Sequence, residues 1–429
     1  MRYAALAMAG VLAMAGPAAA FDYNDANDGN WKADDADTWG QGMNVYPSLA
    51  TDTAVVDSNS VYWQGGLPAG LAVTLDGGTL SSGQPHFDHA MTIGNTDPAG
   101  STIRNGSTWR RVELTAAAVL SGSGKLTLNG GTGTADMFVR SSSPAFSGET
   151  VIAGNTVALL ADQALGTGNV TVDGATLSIN SGQTTTPGLV EVMNGGRYSL
   201  YKTNSAWNVT LNSGTYATAG RLQVDGTVDL ASGTDNTFVL SLSDGFVNKN
   251  AGTLAFSGSG NLTVTESGAD LAHNGMVLRS ASSMTGRLTV DVAILRLYSG
   301  TLGSGDITIK PRGAGANDHS MLDINVSGAT DPAECLLYLE KNGTNYARLD
   351  LASGTLTEVY AAHVDGLGAV GGSWLAAGDY TSANLGNYIT NQGTLRVHND
   401  GPPGAALIPE PAGLSLAGLA LLTLKRRRK

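Results

Sequence analysis

Three short constellations carry residue types that could do chemistry. The first is Asp22-Tyr-Asn-Asp-Ala-Asn-Asp-Gly29, whose side-chain oxygens suit calcium. A calcium loop of the EF type needs oxygen ligands at alternate positions, Gly at the sixth place and Glu at the twelfth. Counting from Asn24 puts Gly29 sixth, but Ala26 third, Ala33 tenth and Asp35 twelfth, which fits a solvated, weakly ion-binding loop better. The second is His86-Phe-Asp-His89, two imidazoles and a carboxylate that could hold a metal if they converged. Gly83 and Pro85 just before it indicate loop or strand, where residues three apart point to opposite faces, so a surface turn is expected. The third is a pair of pairs, Asp291 with Arg287 and Asp225 with Asp229. Polysaccharide lyases and glycosidases need such acid and base groups on neighbouring elements. Any strand-rich chain offers them, however, and no nucleophile elbow, phosphate loop or HExxH occurs. No catalytic, metal-binding or cofactor-binding residue is assigned.

Composition narrows the classes further. A lone cysteine, Cys335, allows neither an intrachain disulfide nor a thiolate metal cluster, and its setting in "ECLLYLE" reads as a small core residue. The formal charge is −12. Without Arg2, Glu410 and the five basic residues at the C-terminus, 18 basic and 35 acidic residues remain, a net charge of −17. Such a surface repels nucleic acid and anionic membrane, so no nucleic-acid partner is expected. Glycine, at 58 of 429 residues, is about double its usual share without a Gly-X-Y period, and no stretch between the two ends sustains a helical period. The body is expected to be all-β.

The ends carry the address. "MRYAALAMAGVLAMAGPAAA" places Arg2 before an apolar run and then small residues, the pattern of a secretory signal peptide with Ala18 and Ala20 at the cleavage site. The last residues read "IPEPAGLSLAGLALLTLKRRRK". Ala412 to Leu424 is uncharged, and thirteen helical residues reach only about 20 Å against roughly 30 Å of hydrocarbon. The following cations favour the cytoplasmic side, giving a marginal stop-transfer, transmembrane-like helix. Pro409-Glu410-Pro411, a short apolar helix and Arg426, Arg427 and Arg428 together resemble the PEP-CTERM sorting signal of Gram-negative bacteria. That resemblance implies an exosortase-like membrane enzyme as partner, which cuts near the motif after transient contact of the tail with the inner membrane.

Repeats set the expected architecture. "LSGSGKLTLNGG" (120–131) returns as "FSGSGNLTVTES" (256–267), and the segment 146–172 returns, with one gap, at 284–309. The shared core is Gly148/Gly286, an apolar strand (157–160 and 295–298), Leu165-Gly-x-Gly168 against Leu302-Gly-x-Gly305, and a second strand at 170–172 and 307–309. Short alternating runs bounded by Gly, Asn, Asp and Ser put Val, Leu and Ile on one face and Thr, Asn and Ser on the other. Stacked antiparallel sandwiches would bury such strands too, but the long repeat and even spacing favour a right-handed parallel β-helix, a β-solenoid with about 20–30 residues per coil. These segments also resemble the autotransporter-associated β-strand repeat. Phe146-Ser-Gly-Glu-Thr-Val-Ile152, Gly154 and Val157 match its first half, and Ala164-Leu-Gly-Thr-Gly-Asn-Val-Thr-Val172 its second. The copy at 284–309 lacks the Phe and the Ala before Leu302. The resemblance implies a parallel β-helix passenger; without a membrane barrel of amphipathic strands, self-transport is not expected and the sorting tail takes its place.

The expected organisation is therefore a signal helix (1–20), an N-terminal cap with Trp31 and Trp39 and the first β segments (21–115), a solenoid repeat region (116–330), last coils and a C-terminal cap (331–400), a linker (401–408) and the sorting signal (409–429). The expected function is an exported, non-catalytic structural or adhesive protein of the cell surface, outer envelope or extracellular matrix of a Gram-negative bacterium, associated with exopolysaccharide or surface glycans. The alternative is a carbohydrate-active enzyme, a lyase or glycosidase, on the same scaffold.

Overall fold

The structure, a computed structural model, describes residues 22–24, 29–31, 53–56, 60–63, 70–82, 86–180, 187–201, 207–218, 224–240, 246–247, 253–266, 275–311, 320–367 and 372–403. The signal segment with Ala18 and Ala20, Trp39, most of the linker and the tail with Pro409, Glu410, Pro411, Arg426, Arg427 and Arg428 lie outside them. Among the described residues every regular element is a strand, and no helix is long and apolar enough to cross a membrane. The chain forms two compact units, Met1–Ser205 and Ala206–Lys429.

In the first unit successive strands fall in turn on three parallel sheets. Ala72–Leu75, Thr79–Ser82 and His86–Phe87 lie one on each; Met91–Ile93, Ser101–Asn105 and Val112–Leu114 then add the next strand to each sheet, in parallel. Later passes drop to two strands: Thr150–Ala153 and Thr156–Leu159 are followed by Val170–Asp173 and Thr176–Ile179. Thr150 pairs with Val170 and Val170 with Val190, so these consecutive passes are of equal length. The second unit repeats this winding. Phe246–Val247, Gly275–Leu278, Ile294–Leu297, Met321–Ile324, Arg348–Leu351 and Ile389–Thr390 form one of its parallel sheets. Its passes are less even: Leu288 pairs with Ile307, but Ile307 pairs with Leu337 across a much longer excursion. Among the described residues the antiparallel pairs come late: Lys341–Asn342 with Asn345–Tyr346, His363 and Val364 with Trp374 and Ser373, and Gly378–Tyr380 with Thr394–Val397. Each unit is thus all-β with parallel sheets, an arrangement compatible with a β-solenoid.

Strand period explains the interior. In Leu126–Asn129, Thr150–Ala153 and Val170–Asp173 alternate residues are buried, so Leu126, Leu128, Ile152, Val170 and Val172 stack inward from one pass to the next. A fully buried Leu, Ile or Val contributes about 1.5–3 kcal/mol. The passes differ in length, and some backbone groups miss a ladder partner where they do. Buried serines take these over: Ser143 Oγ accepts from Leu120 N at 3.0 Å and Ser282 Oγ from Phe256 N at 3.1 Å. An unmet buried amide would cost about 1–3 kcal/mol.

Glycine sets the corner. A Cβ on Gly124 would come closer than 3.0 Å to the Gly94 carbonyl oxygen, one on Gly148 to that of Gly124, and one on Gly168 to that of Gly148. The second unit repeats the contact from Gly260 through Gly286 to Gly305. Two residues before, Gly122 (φ 94°), Gly166 (φ 64°), Gly258 (φ 91°) and Gly303 (φ 104°) bend the chain in the left-handed region. The Gly-x-Gly motif is therefore one bend followed by one close approach. The degenerate copy keeps it. Phe146 and Met284 are both buried, and their carbonyls accept from Thr167 N and Ser304 N at 3.0 Å each.

The repeat breaks down at one other point. In the second copy the place of Gly154 (φ 73°) is taken by Val292 (φ 57°), a β-branched residue in a conformation it disfavours. Its amide still donates to Ser320 Oγ at 2.8 Å, so the bend persists despite the strain. Two substitutions test this account in denaturation experiments. Gly148→Ala, whose Cβ would meet the Gly124 carbonyl and the edge of the Phe146 ring, should destabilise by about 1–3 kcal/mol. Val292→Asn, which tolerates positive φ, should stabilise by about 1 kcal/mol.

Candidate functional site

Inward residues are committed to packing, so any site must be read from outward rows and turns. In the second unit one outward row is regular. Thr215 pairs with Thr237, Thr237 with Thr263, Thr263 with Thr289 and Thr289 with Thr308. The row continues through Tyr338 and His363 to Trp374. The flanking residues Leu262, Val264, Leu288 and Val290 point inward and are buried, which turns Thr263 and Thr289 to the outer face. Hydroxyls thus recur at the strand spacing of about 4.8 Å, half-buried at Thr215, Thr237, Thr263 and Thr289 and buried at Thr308. At the end of the row three rings meet: Tyr338 and Trp374 at 5.7 Å between centroids, His363 and Trp374 at 5.3 Å, Tyr338 and His363 at 6.2 Å.

Two polar rows flank the threonines. On one side Asp235 accepts from Asn261 Nδ2 at 2.8 Å, and Asn261 Oδ1 accepts from Arg287 N at 3.0 Å. Asp306 Oδ1 accepts from Leu336 N at 3.3 Å. On the other, Lys310 Nζ stands 3.2 Å from Asp291 Oδ2. Burial pushes the Glu340 carboxyl above its usual range, with Lys310 opposing that rise. Where the glycine corner leaves no side chain, at Gly286 and Gly305, a depression of about 500 Å³ opens. Asn261, Thr285, Arg287, Asp306 and Glu334 line it. Burial and the nearby Asp306 raise the Tyr338 phenol while Arg287 lowers it, so these charges and the ring cluster feel one another. Among the described residues, no two of Arg287, Asp306 and Glu334 approach within the 4.0 Å of an ion pair. The surface can hydrogen-bond an extended polar polymer along the row and stack a ring at its aromatic end.

The sequence-derived candidates fall elsewhere or apart. Asp22–Asn24 and Gly29–Trp31 are separate strands, pairing in parallel with Thr53–Val55 and Val61–Trp63, and the rest of the candidate calcium segment, 25–28 and 32–35, lies outside the described residues. His86 is exposed and pairs loosely with Glu113 at 3.9 Å, whereas His89 is buried, its Nδ1 2.7 Å from Asp88; the two imidazoles do not converge. Among the described residues no group of three or more His, Cys, Asp or Glu side chains is placed to hold a metal. Asp291 meets Lys310 rather than Arg287. Asp225 accepts from Thr253 N at 2.7 Å and Asp229, within the strand Thr227–Leu230, from Ser257 Oγ at 2.8 Å, so each is tied to the next pass instead of facing the other. Cys335 is fully buried, and burial pushes its thiol up to about 12. The threonine row escaped sequence reading because it depends on the register of passes of unequal length. The signal was present as Thr at the second or third place of consecutive strands: "NLTV", "LTVD" and "ITI".

Comparison of the chain with protein-family models, with curated proteins and with solved structures found no match.

Proposed function

We propose that the chain is an exported, non-catalytic right-handed β-solenoid of structural or adhesive function. On this reading an exosortase-like system sorts it to the cell surface or extracellular matrix of a Gram-negative bacterium, where its outer rows meet exopolysaccharide. The hand follows from the general rule that parallel strands with a crossover connect right-handedly. The observation that carries the functional reading is the outward row from Thr215 to Trp374, a periodic polar surface that ends in three touching rings. The accessible hydroxyls of Thr215, Thr237, Thr263 and Thr289 match the repeating hydroxyls of a polysaccharide. The neighbouring carboxylates support it as well, since Asp225, Asp229 and Asp291 are each engaged by a residue of another pass.

The sorting half of the reading rests on Pro409, Glu410, Pro411, Arg426, Arg427 and Arg428, together with a signal peptide cut near Ala18 and Ala20. The enzyme alternative would place its chemistry at Arg287, Asp306 and Glu334 in the depression, with Glu334 as the general acid or base. Fractionation of cells carrying the wild type, beside a variant lacking residues 409–429, tests the sorting. The wild type should reach the surface or matrix without its basic tail, as mass spectrometry of the mature C-terminus would read, while the truncated chain stays unsorted. A wild-type protein that keeps the tail and remains in the inner membrane contradicts the proposal.

A further inference from the structure

A second outward feature lies in the first unit, away from the threonine row in sequence and chemistry. Trp109 is 69% exposed, the highest value among the exposed large apolar side chains of the described residues. It sits on the turn between Ser101–Asn105 and Val112–Leu114. Leaving an indole in water forgoes the stabilisation that burial would bring, and a turn that merely closes a coil needs no tryptophan.

The turn is also held firmly. Asn105, almost fully buried, donates through Nδ2 to the carbonyls of Arg110 and Asp136 at 2.9 Å each, and its Oδ1 accepts from Ser107 N at 2.9 Å. Ser107 Oγ accepts from Arg110 N at 2.9 Å and from Trp109 N at 3.3 Å. The indole is therefore presented from a braced backbone, which lowers the ordering cost of binding.

Its cationic neighbours are arranged around rings rather than acids. The Arg110 guanidinium lies 4.9 Å from the centre of the Trp109 ring, and that of Arg111 lies 3.8 Å from the centre of Phe138. Among the described residues no carboxylate comes within the 4.0 Å of an ion pair to either one. Glu113, two residues after Arg111 and within reach of its field, is already taken: Arg140 Nε stands 3.0 Å from its Oε2, and that bond is the main cause holding its carboxyl below the usual range. Arg110 and Arg111 thus keep their donor forks for an external anion, on a chain whose formal charge is −12.

We infer that Trp109, Arg110 and Arg111 form a binding site for an acidic polysaccharide bearing uronate rings. The C–H face of one sugar stacks on the indole, and its carboxylate receives the fork of Arg110 or Arg111. The ligand class rests on the proposed surface role, but the site is independent of the threonine row. A sugar polymer with one charge per ring suits two guanidinia beside one aromatic plate. Nucleic acid, whose affinity comes from neutralising many phosphates at once, would need a wider basic field. At physiological salt the screening length is about 8 Å, so the local cations decide the encounter rather than the distant acidic residues.

The test is binding of the full-length protein, in mild detergent, to polygalacturonate, to its fully methyl-esterified form and to dextran. The wild type should bind polygalacturonate and bind the ester and dextran at least tenfold more weakly. Trp109→Ala and the double variant Arg110→Gln/Arg111→Gln should each lose at least tenfold in affinity with an unchanged denaturation midpoint, because these side chains are exposed. Thr263→Leu/Thr289→Leu, in the second unit, should bind polygalacturonate as the wild type does. Equal binding by Trp109→Ala, equal binding of the methyl ester, or tighter binding of a DNA oligomer than of polygalacturonate overturns the site. Loss in the threonine variant alone would sink this site while favouring the row as the glycan surface. No binding of any polysaccharide by any form would sink both.

Discussion

The approach of a glycine α-carbon to the carbonyl of a glycine one pass earlier is the contact on which the rest of each unit depends. At Gly124, Gly148 and Gly168, and at their counterparts Gly286 and Gly305, there is no room for a Cβ against that carbonyl oxygen. Because the backbones touch there, successive strands are brought to hydrogen-bonding distance with inward residues aligned on inward residues. The left-handed bend two residues before, at Gly122, Gly166, Gly258 and Gly303, then turns the chain toward the next sheet. Apolar stacking supplies the energy, but the corner fixes where it is spent. This is why glycine can rise to about twice its usual share without loosening the fold.

That division of labour leaves the outside free. Corner glycines and inward aliphatic residues satisfy the fold, so outward positions carry whatever the protein presents. In the second unit this is a row of threonines running into Tyr338, His363 and Trp374. In the first it is an indole and two guanidinia on a braced turn. The charges near these features are mostly occupied in holding one pass to the next, as Asp229 holds Ser257 and Glu113 holds Arg140. On the proposed reading the protein works by presentation: a repeating backbone places hydroxyls and rings at intervals that a repeating polymer can meet.

Much of the fold was legible because its signals are local. Alternation in "KLTLNG" or "NVTVDG" requires only the two-residue period of a strand, and Gly-x-Gly marks the corner wherever it falls. Even the imperfect copy at 284–309 was recognisable, since Met284 fills the place of Phe146 and keeps the same backbone bond. What sequence could not supply was register. The short pass from Thr150 to Val170 and the long one from Ile307 to Leu337 show how unequal the steps are. Those lengths decide which outward residues become neighbours, and they reflect turns of no fixed pattern. The pairing of Asp291 with Lys310, the separation of Asp225 from Asp229 and the alignment of the threonines all follow from register. Trp109 was missed for a related reason: nothing in "STWRRV" says whether a turn buries its indole or displays it.

The central claim, that the passes stack in parallel at a fixed register, is open to a direct measurement. Val151 and Thr171 are outward partners on adjacent passes, while Cys335 is buried and does not compete for oxidation. In the variant Val151→Cys/Thr171→Cys, mild oxidation should close an intrachain disulfide, because paired strands hold the two α-carbons at a distance that a disulfide spans. In Val151→Cys/Asp173→Cys, shifted to the next position along the same face, it should not. Equal cross-linking in both variants, or cross-linking only in the shifted one, would contradict the stacking and the corner that enforces it.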